Sequence, residues 1–254
     1  MTTVDVVVLA GGKNSPEMAA ATGVENRALT PIGTRTMLEY VVSALAETPS
    51  IGRVFVVGDV PTSTQFTLVA GQETLLDNLM AGLAAAGDQE RVLISTSDIP
   101  FVTPQALEDF VRRASATEAD LCCSYVPLAA CIRRYPEMKR TAITLAEGRF
   151  TLGNVMLVRP RFLAAHQEAI TEAYAARKSP VQMAGLLGIG LLLRLLGSQL
   201  ISPALLTASA LEAAVSRVLD GGRAVGICSA YPEIGTDVDK PEDIAAARRI
   251  LARS

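Results

Sequence analysis

The sequence predicts an α/β fold of three layers, with a mostly parallel central sheet between helices. Three observations carry this. Short β-branched runs alternate with amphipathic stretches; the runs are apolar without polar alternation, as in strands buried on both faces; and several exit directly into glycine or aspartate. Regular alternation of strand and helix implies βαβ units with right-handed crossovers. At 254 residues, with no internal repeat or low-complexity linker, the chain reads as one domain, 1–254, with an inserted region at about 139–206.

The first predicted strand is Val4-Asp5-Val6-Val7-Val8-Leu9, ending in Ala10-Gly11-Gly12. Two glycines permit positive φ and let bare N–H groups approach a bound group. At the carboxyl end of a parallel strand that group is commonly a phosphate, an ordinary tight turn being the alternative. No third glycine completes a dinucleotide fingerprint, and no Gly-Lys-Ser/Thr closes a P-loop. Residues 13–26 are polar and Ala-rich without sustained periodicity, a long and therefore functional or mobile loop.

Beyond Arg27-Ala28-Leu29-Thr30-Pro31-Ile32-Gly33, the 3–4 spacing from Met37 to Leu45 predicts a helix. Val54–Val57 is a second buried strand with Gly58 at its exit, and a helix from Thr74 to Ala86 is entered through Gly71-Gln72-Glu73. Arg91–Ser97 is a third strand, ending on Asp98-Ile99-Pro100; a helix over Pro104–Ala114 and a strand over Asp120–Tyr125 follow. Thr141–Leu145 and Arg149–Leu152, joined around Glu147-Gly148, predict a hairpin. Gly153-Asn154 then leads into a strand over Val155–Val158 and a helix over Arg161–Ala176.

Residues 181–206 are almost wholly apolar, with Arg194 near their centre. An arginine at mid-bilayer costs about 2.5–3.5 kcal/mol, which argues against a spanning helix. A buried or oligomer-interface helix pair, or a helix on a membrane surface or over an apolar substrate, are the other readings. The chain closes with a helix over Ala208–Leu219, a strand over Ala224–Cys228, and Gly235-Thr236-Asp237-Val238-Asp239-Lys240-Pro241 running into a terminal helix. Pro241 suits its first turn, and Glu242 and Asp243 suit its positive end.

Composition excludes several chemistries. The net charge of −3, few aromatics and no Trp leave no electrostatic or stacking case for nucleic acid. Cys122, Cys123, Cys131 and Cys228 form no C-x-x-C pair and read as reduced thiols in strands rather than zinc ligands. The lone His166, in a predicted helix, reads as a surface residue, which excludes a His dyad or a three-His metal site. The N-terminus enters a strand with no leader pattern, so a cytoplasmic protein is expected.

Two acidic features are placed to meet. Asp98 sits at the carboxyl end of a predicted central strand, and Asp237 and Asp239 alternate in an extended segment, pointing to one face. Carboxylates from two places over a phosphate loop suit Mg²⁺, which binds through one or two carboxylates plus substrate phosphates. Helix capping is the alternative for each, although it does not explain the Asp-x-Asp spacing.

These residues resemble a family. Leu9-Ala10-Gly11-Gly12, Arg27-Ala28-Leu29-Thr30-Pro31-Ile32-Gly33, Met37-Leu38-Glu39-Tyr40, Ser97-Asp98-Ile99-Pro100-Phe101 and Asp237-Val238-Asp239-Lys240-Pro241-Glu242-Asp243 resemble nucleotidyltransferases of the GT-A-type, Rossmann-like fold, nearest the molybdenum-cofactor-guanylyltransferase-like group. The resemblance implies Mg²⁺ (or Mn²⁺) held by Asp98 and Asp239, with Asp237 alternate or beside them. It implies an NTP, GTP or CTP, on Leu9, Ala10, Gly11 and Gly12, with the base near Gly71 and Thr74. A phosphorylated small-molecule acceptor would lie at Gly153 and Asn154, next to the inserted region. Pro16 stands where the family carries an arginine, and Arg27 where it carries a lysine. Lys13 and Arg27 are then the residues left to neutralise phosphate. A glycosyltransferase of the same architecture using a nucleotide sugar, and a nucleotide binder without turnover, are the alternatives. Residues 181–206 are the segment through which peripheral membrane contact or self-association would run.

Overall fold

The structure, a computed structural model, describes residues 3–176, 189–219 and 221–252. Its main sheet runs β10(Ala224–Cys228)–β7(Leu121–Pro127)–β9(Gly148–Val158)–β6(Val92–Thr96)–β1(Val4–Leu9)–β4(Ile51–Val57)–β5(Thr67–Val69), with β8(Ile143–Leu145) paired to β9. A separate two-stranded ribbon joins β2(Pro31–Ile32) to β3(Arg35–Thr36). β1 lies centrally, parallel to β4 and β6, which explains why its side chains are buried on both faces. β9 runs antiparallel between β6 and β7, so the sheet is mixed at that end and parallel where the Gly-rich loop leaves it.

Helices α2(Met37–Ala46) and α4(Pro104–Ser115) pack on one face, their apolar stripes joining Val6, Val8, Val54, Val56 and Leu93. On the other face α3(Leu75–Ala86) covers Val7, Phe55 and Val57. A side chain at Gly82 would run into Val7 and Val57, so this helix sits close because position 82 has none. A third cluster lies under the carboxyl ends of the strands. It gathers Met18 from α1(Pro16–Thr22), Ile32, Met37, Phe101, Tyr135, Met138, Val238, and Ile244 from α10(Pro241–Leu251). Phe101 and Tyr135 stack there at 5.0 Å.

Several expectations change. Residues 13–26 are not all loop: α1 starts on Pro16 and is capped by Ser15, whose hydroxyl accepts from the Met18 amide. Its seven residues are too few for periodicity to register. α5(Leu128–Arg134) was not anticipated, and it places Cys131 in a helix rather than a strand. The strand after Gly153-Asn154 does not begin there, because β9 is continuous from Gly148. Tyr125 pairs with Leu152 and Cys123 with Met156, so three residues of β9 oppose Ser124 alone. This bulge puts the two loop-forming residues mid-strand. The helix expected over 161–176 divides at His166 into α6(Pro160–Ala165) and α7(Gln167–Ala176), and the His166 ring nitrogen Nδ1 bonds the Phe162 carbonyl at 2.9 Å.

Of the apolar stretch, residues 181–188 lie outside the described residues. The remainder forms α8(Ile189–Leu200) and a short turn, ahead of α9(Ala208–Val218). α8 is tied to the hairpin by Gln199 Nε2 donating to the Thr144 carbonyl at 3.2 Å, and it exposes Leu193, Leu196 and Leu200. Among the described residues no helix is long and apolar enough to cross a membrane. Beneath α7 and α9, a cavity of about 520 Å³ is walled by apolar side chains, among them Ile94, Tyr125, Met156, Ile170 and Val215.

Gly58, at the exit of β4, shows most directly how the backbone shapes the site. Its φ is +151°, and a Cβ there would stand 2.6 Å from the Ala10 carbonyl. Gly58→Ala should cost about 2–4 kcal/mol, the sum of a disfavoured φ and a backbone collision. In a domain of this size that lowers Tm by roughly 5–15 °C in calorimetry. A shift below about 1 °C would show that the Ala10 loop yields freely.

Candidate active site

The predicted phosphate loop leaves β1 where Leu9 is paired with Val57 on one side and Thr96 on the other. Ala10 is buried and its amide donates to the Val57 carbonyl at 2.8 Å. Gly11, Gly12 and Lys13 are exposed beyond it. The positive φ expected at Gly11-Gly12 is not adopted; Gly58 carries it instead. Gly11 is small for another reason: a Cβ there would press on the buried Asn78 amide at 3.3 Å.

Asn78 was not anticipated. Its Oδ1 accepts from the Gln72 amide at 3.0 Å, and its Nδ2 donates to the Gln72 and Thr74 carbonyls at 3.0 and 2.7 Å. One buried side chain thus fixes the 71–74 loop against the 10–12 loop, the two places expected to take base and phosphates. Gly71 packs on Gly58, with room for a Cβ only at 3.3 Å. The Thr74 hydroxyl caps α3, accepting from the Asp77 amide at 3.1 Å. An Asn on the first turn of a helix carries no sequence signal that separates this role from an exposed one.

Residues 13–27 fold back on the same loop. Lys13 and Asn26 form an antiparallel bridge, the Asn14 amide donates to the Glu25 carbonyl at 2.7 Å, and the Arg27 amide donates to the Gly12 carbonyl at 2.9 Å. Arg27 is therefore rooted at the Gly-rich loop, and its guanidinium spans from that loop to the carboxylates, Nη2 donating to the Lys13 carbonyl at 3.4 Å. Nη1 donates to Asp98 Oδ2 at 3.1 Å and to Asp239 Oδ1 at 2.6 Å.

Asp98, Asp237 and Asp239 converge, each offering an oxygen within 4.8 Å of the others. Asp98 is buried in the turn after β6. Asp237 and Asp239 share a face because buried Val238 between them points into the core cluster, and the Val238 amide donates to the Asp98 carbonyl at 2.9 Å. Capping accounts for none of the three. Thr103 caps α4, accepting from the Ala106 amide, and Asp243 caps α10 by accepting from the Asp239 and Lys240 amides at 3.3 and 3.1 Å.

Arg140, from the inserted region, was missed. Its nearly buried guanidinium donates to Asp237 Oδ1 at 2.6 Å and to the Asp237 carbonyl at 2.5 Å. An isolated Lys-Arg pair in an irregular stretch does not announce such a contact. Gly153 and Asn154 are near this end of the sheet but are engaged structurally. A side chain at 153 would collide with Ser124 and Ile234, and Asn154 Nδ2 donates to the Ile234 carbonyl at 3.2 Å.

Parallel strands ending in a Gly-rich loop, with carboxylates from two loops beside it, place a candidate ligand site at the carboxyl edge of an α/β sheet. Comparison with known proteins makes this specific: residues 6–183 match the MobA-like NTP transferase domain. The chain belongs to that family and is a nucleotidyltransferase. It is 33% identical to a hypothetical transferase from Thermus thermophilus, over 96% of this chain and 100% of that one, with a TM-score of 0.84. The fold also matches a CMP:2-keto-3-deoxy-manno-octonic acid synthetase complexed with CTP, at 12% identity, a TM-score of 0.58, and 100% and 99% coverage. The 2-C-methyl-D-erythritol 4-phosphate cytidylyltransferase of Thermus thermophilus matches at 17% identity and a TM-score of 0.57, with both chains fully covered, at 100%. No curated protein matches by sequence.

The cluster carries a pH signature. Burial pushes the Asp237 carboxyl up to about 7, helped by its hydrogen bond with Asp239 and by the charges of Asp239 and Asp98, and opposed by Arg140. A carboxyl that titrates higher folded than unfolded holds an extra proton between the two values. Stability therefore falls as pH rises from about 4 to 7. The slope is at most about 1.4 kcal/mol per pH unit. Urea titrations should show this loss in the wild type and its absence in Asp237→Asn, which keeps an oxygen for Arg140. Equal slopes would contradict the assignment.

Proposed function

We propose that the protein transfers NMP from an NTP to a phosphorylated small-molecule acceptor, with release of pyrophosphate. The observation that carries this is the meeting of Asp98, Asp237 and Asp239 beside a loop that also roots Arg27. The donor set is all carboxylate oxygen, which suits Mg²⁺ or Mn²⁺, and Asp98 Oδ1 is buried without a partner, as an oxygen awaiting a cation would be. Asp98 and Asp239 would hold the ion, with Asp237 beside them. Bound there, it would supply Lewis acidity and charge neutralisation at the phosphates.

The remaining work falls to the chain's own groups. Gly11 and Gly12, exposed beyond the buried Ala10, would cradle the triphosphate through backbone, with Leu9 and Ala10 tying the loop to the sheet, and the 71–74 loop would receive the base. Lys13 and Arg27 neutralise the pyrophosphate side. An acceptor phosphate oxygen attacks the α-phosphorus in line; the bond to the bridging oxygen breaks, and pyrophosphate leaves with its electron pair. No protein nucleophile is needed, in keeping with Cys122, a buried thiol whose desolvation raises its pKa, and Cys123, half-buried on the wall of the apolar cavity and pushed up to about 12 by desolvation. The acceptor would enter near Gly153 and Asn154. The synthetase and cytidylyltransferase among the structural matches make CTP the first nucleotide to try, and GTP the second. Such chemistry belongs in the cytoplasm and involves no nucleic acid. The face carrying Leu193, Leu196 and Leu200 is where self-association or membrane contact would fall.

A thermal-shift series with each NTP, with and without Mg²⁺, identifies the base. A hundredfold excess over Kd stabilises by about 2.7 kcal/mol, roughly 5–10 °C here. With that nucleotide and a panel of phosphorylated sugars and alcohols, pyrophosphate release should follow, and Asp98→Ala should lower its rate at least about a hundredfold. Tight binding of every NTP tried with no pyrophosphate from any acceptor would favour a nucleotide binder. Full activity in Asp98→Ala would remove the cation assignment.

A further inference from the structure

We propose that Arg27 is a place-holder for the divalent cation, occupying the carboxylate site in the nucleotide-free protein and leaving it for the phosphates when nucleotide and metal enter together. The inference rests on reading Asp98 and Asp239 as the cation's ligands. Arg27 Nη1 donates to both of those carboxylates, at 3.1 and 2.6 Å, and so occupies the negative charge that a cation held by them would meet.

The contact does not have the form of a permanent ion pair. Arginine and carboxylate pair most strongly through two parallel hydrogen bonds. Here one nitrogen serves two carboxylates, while Arg27 Nε and Asp98 Oδ1 are both buried and without a partner. A buried donor or acceptor without a partner is costly to keep. The same arrangement therefore leaves an unmet acceptor on one of the cation's expected ligands and an unmet donor on the group that pairs with it. An ion meets the first, and a phosphate oxygen meets the second.

The backbone makes this exchange short. The Arg27 amide is bonded to the Gly12 carbonyl, and Nη2 lies 3.4 Å from the Lys13 carbonyl. A side chain rooted beside the Gly-rich loop reaches triphosphate on that loop by changing rotamer, with no movement of the sheet. Metal alone must displace Arg27 and leave its charge unpaired beside an incoming cation. Metal with nucleotide gives the guanidinium a new partner. The two ligands then bind cooperatively, each strengthening the other by the same factor.

The test measures Mn²⁺ binding by electron paramagnetic resonance of the free ion, independently of turnover, on wild type, Arg27→Gln, Lys13→Gln and the double variant Arg27→Gln/Asp98→Asn. Without nucleotide, Arg27→Gln should bind Mn²⁺ at least about tenfold tighter than wild type, a difference of about 1.4 kcal/mol. Lys13→Gln removes a charge from the same loop without touching the bridge, and should change affinity less than about threefold. In the wild type, titration with Mg²⁺ plus CTP or GTP, but not with Mg²⁺ alone, should shift the Arg27 Nε–H resonance, assigned by its loss in Arg27→Lys. Equal Mn²⁺ affinity of wild type and Arg27→Gln, with affinity lost in the double variant, would overturn the place-holder and leave the metal site standing. Equal tightening by Lys13→Gln would overturn it as a net-charge effect. Mn²⁺ binding that survives in the double variant would instead remove the cation reading on which the inference rests.

Discussion

The structure around the candidate site is governed by one constraint: three aspartates are held with oxygens inside 4.8 Å of one another. At that separation, with an effective dielectric constant near 20, each pair of full charges repels by about 3–4 kcal/mol. Nothing in a parallel sheet supplies that energy, so it must be offset locally. Two guanidiniums do so, Arg140 on Asp237 and Arg27 across Asp98 and Asp239. Asp237 contributes further by holding its proton more strongly than a solvated carboxyl. The rigidity comes from elsewhere. Buried Val238, its amide bond to Asp98, and the Asp243 cap clamp the C-terminal loop against the third core cluster.

Much of the architecture was legible because the central strands are buried on both sides, and such strands write themselves as unbroken apolar runs. β1 and β6 are of this kind. The elements that escaped are those whose stability is tertiary. α1 and α5 are seven residues each, shorter than periodicity can resolve, and exist because Met18, Leu128 and Cys131 are buried against neighbours. The bulge in β9 escaped for the opposite reason. Gly153 and Asn154 carry the composition of a turn, but here glycine is required by the approach of Ser124 and Ile234.

The site was legible in its acidic residues and not in what orients them. Asp98 and the Asp-x-Asp pair were ambiguous between ligand and helix cap, because both roles favour aspartate after a strand. The capping reading falls to residues downstream: Thr103 and Asp243 take the capping bonds, and none of the three carboxylates makes one. Asn78 and Arg140 could not be read in advance. Each acts on a partner at the far end of a loop or an insertion, and neither spacing nor residue type encodes that partner.

Position 27 draws these threads together, because an arginine stands where the family resemblance leads one to expect lysine. The two cations are not equivalent in an acidic, partly buried site. A lysine ammonium is compact and strongly hydrated, so it gives up more on leaving water; a guanidinium is weakly hydrated and presents several donors in a fixed plane. Arginine can therefore rest among carboxylates while its stem stays tied to the phosphate loop. A lysine rooted at the same Gly12 carbonyl would have a single charged centre to divide between them. The substitution thus fits a protein that keeps its acidic cluster neutralised before any ligand arrives. It follows that the departure at position 27 is compatible with turnover, provided the guanidinium can leave the carboxylates for the phosphates.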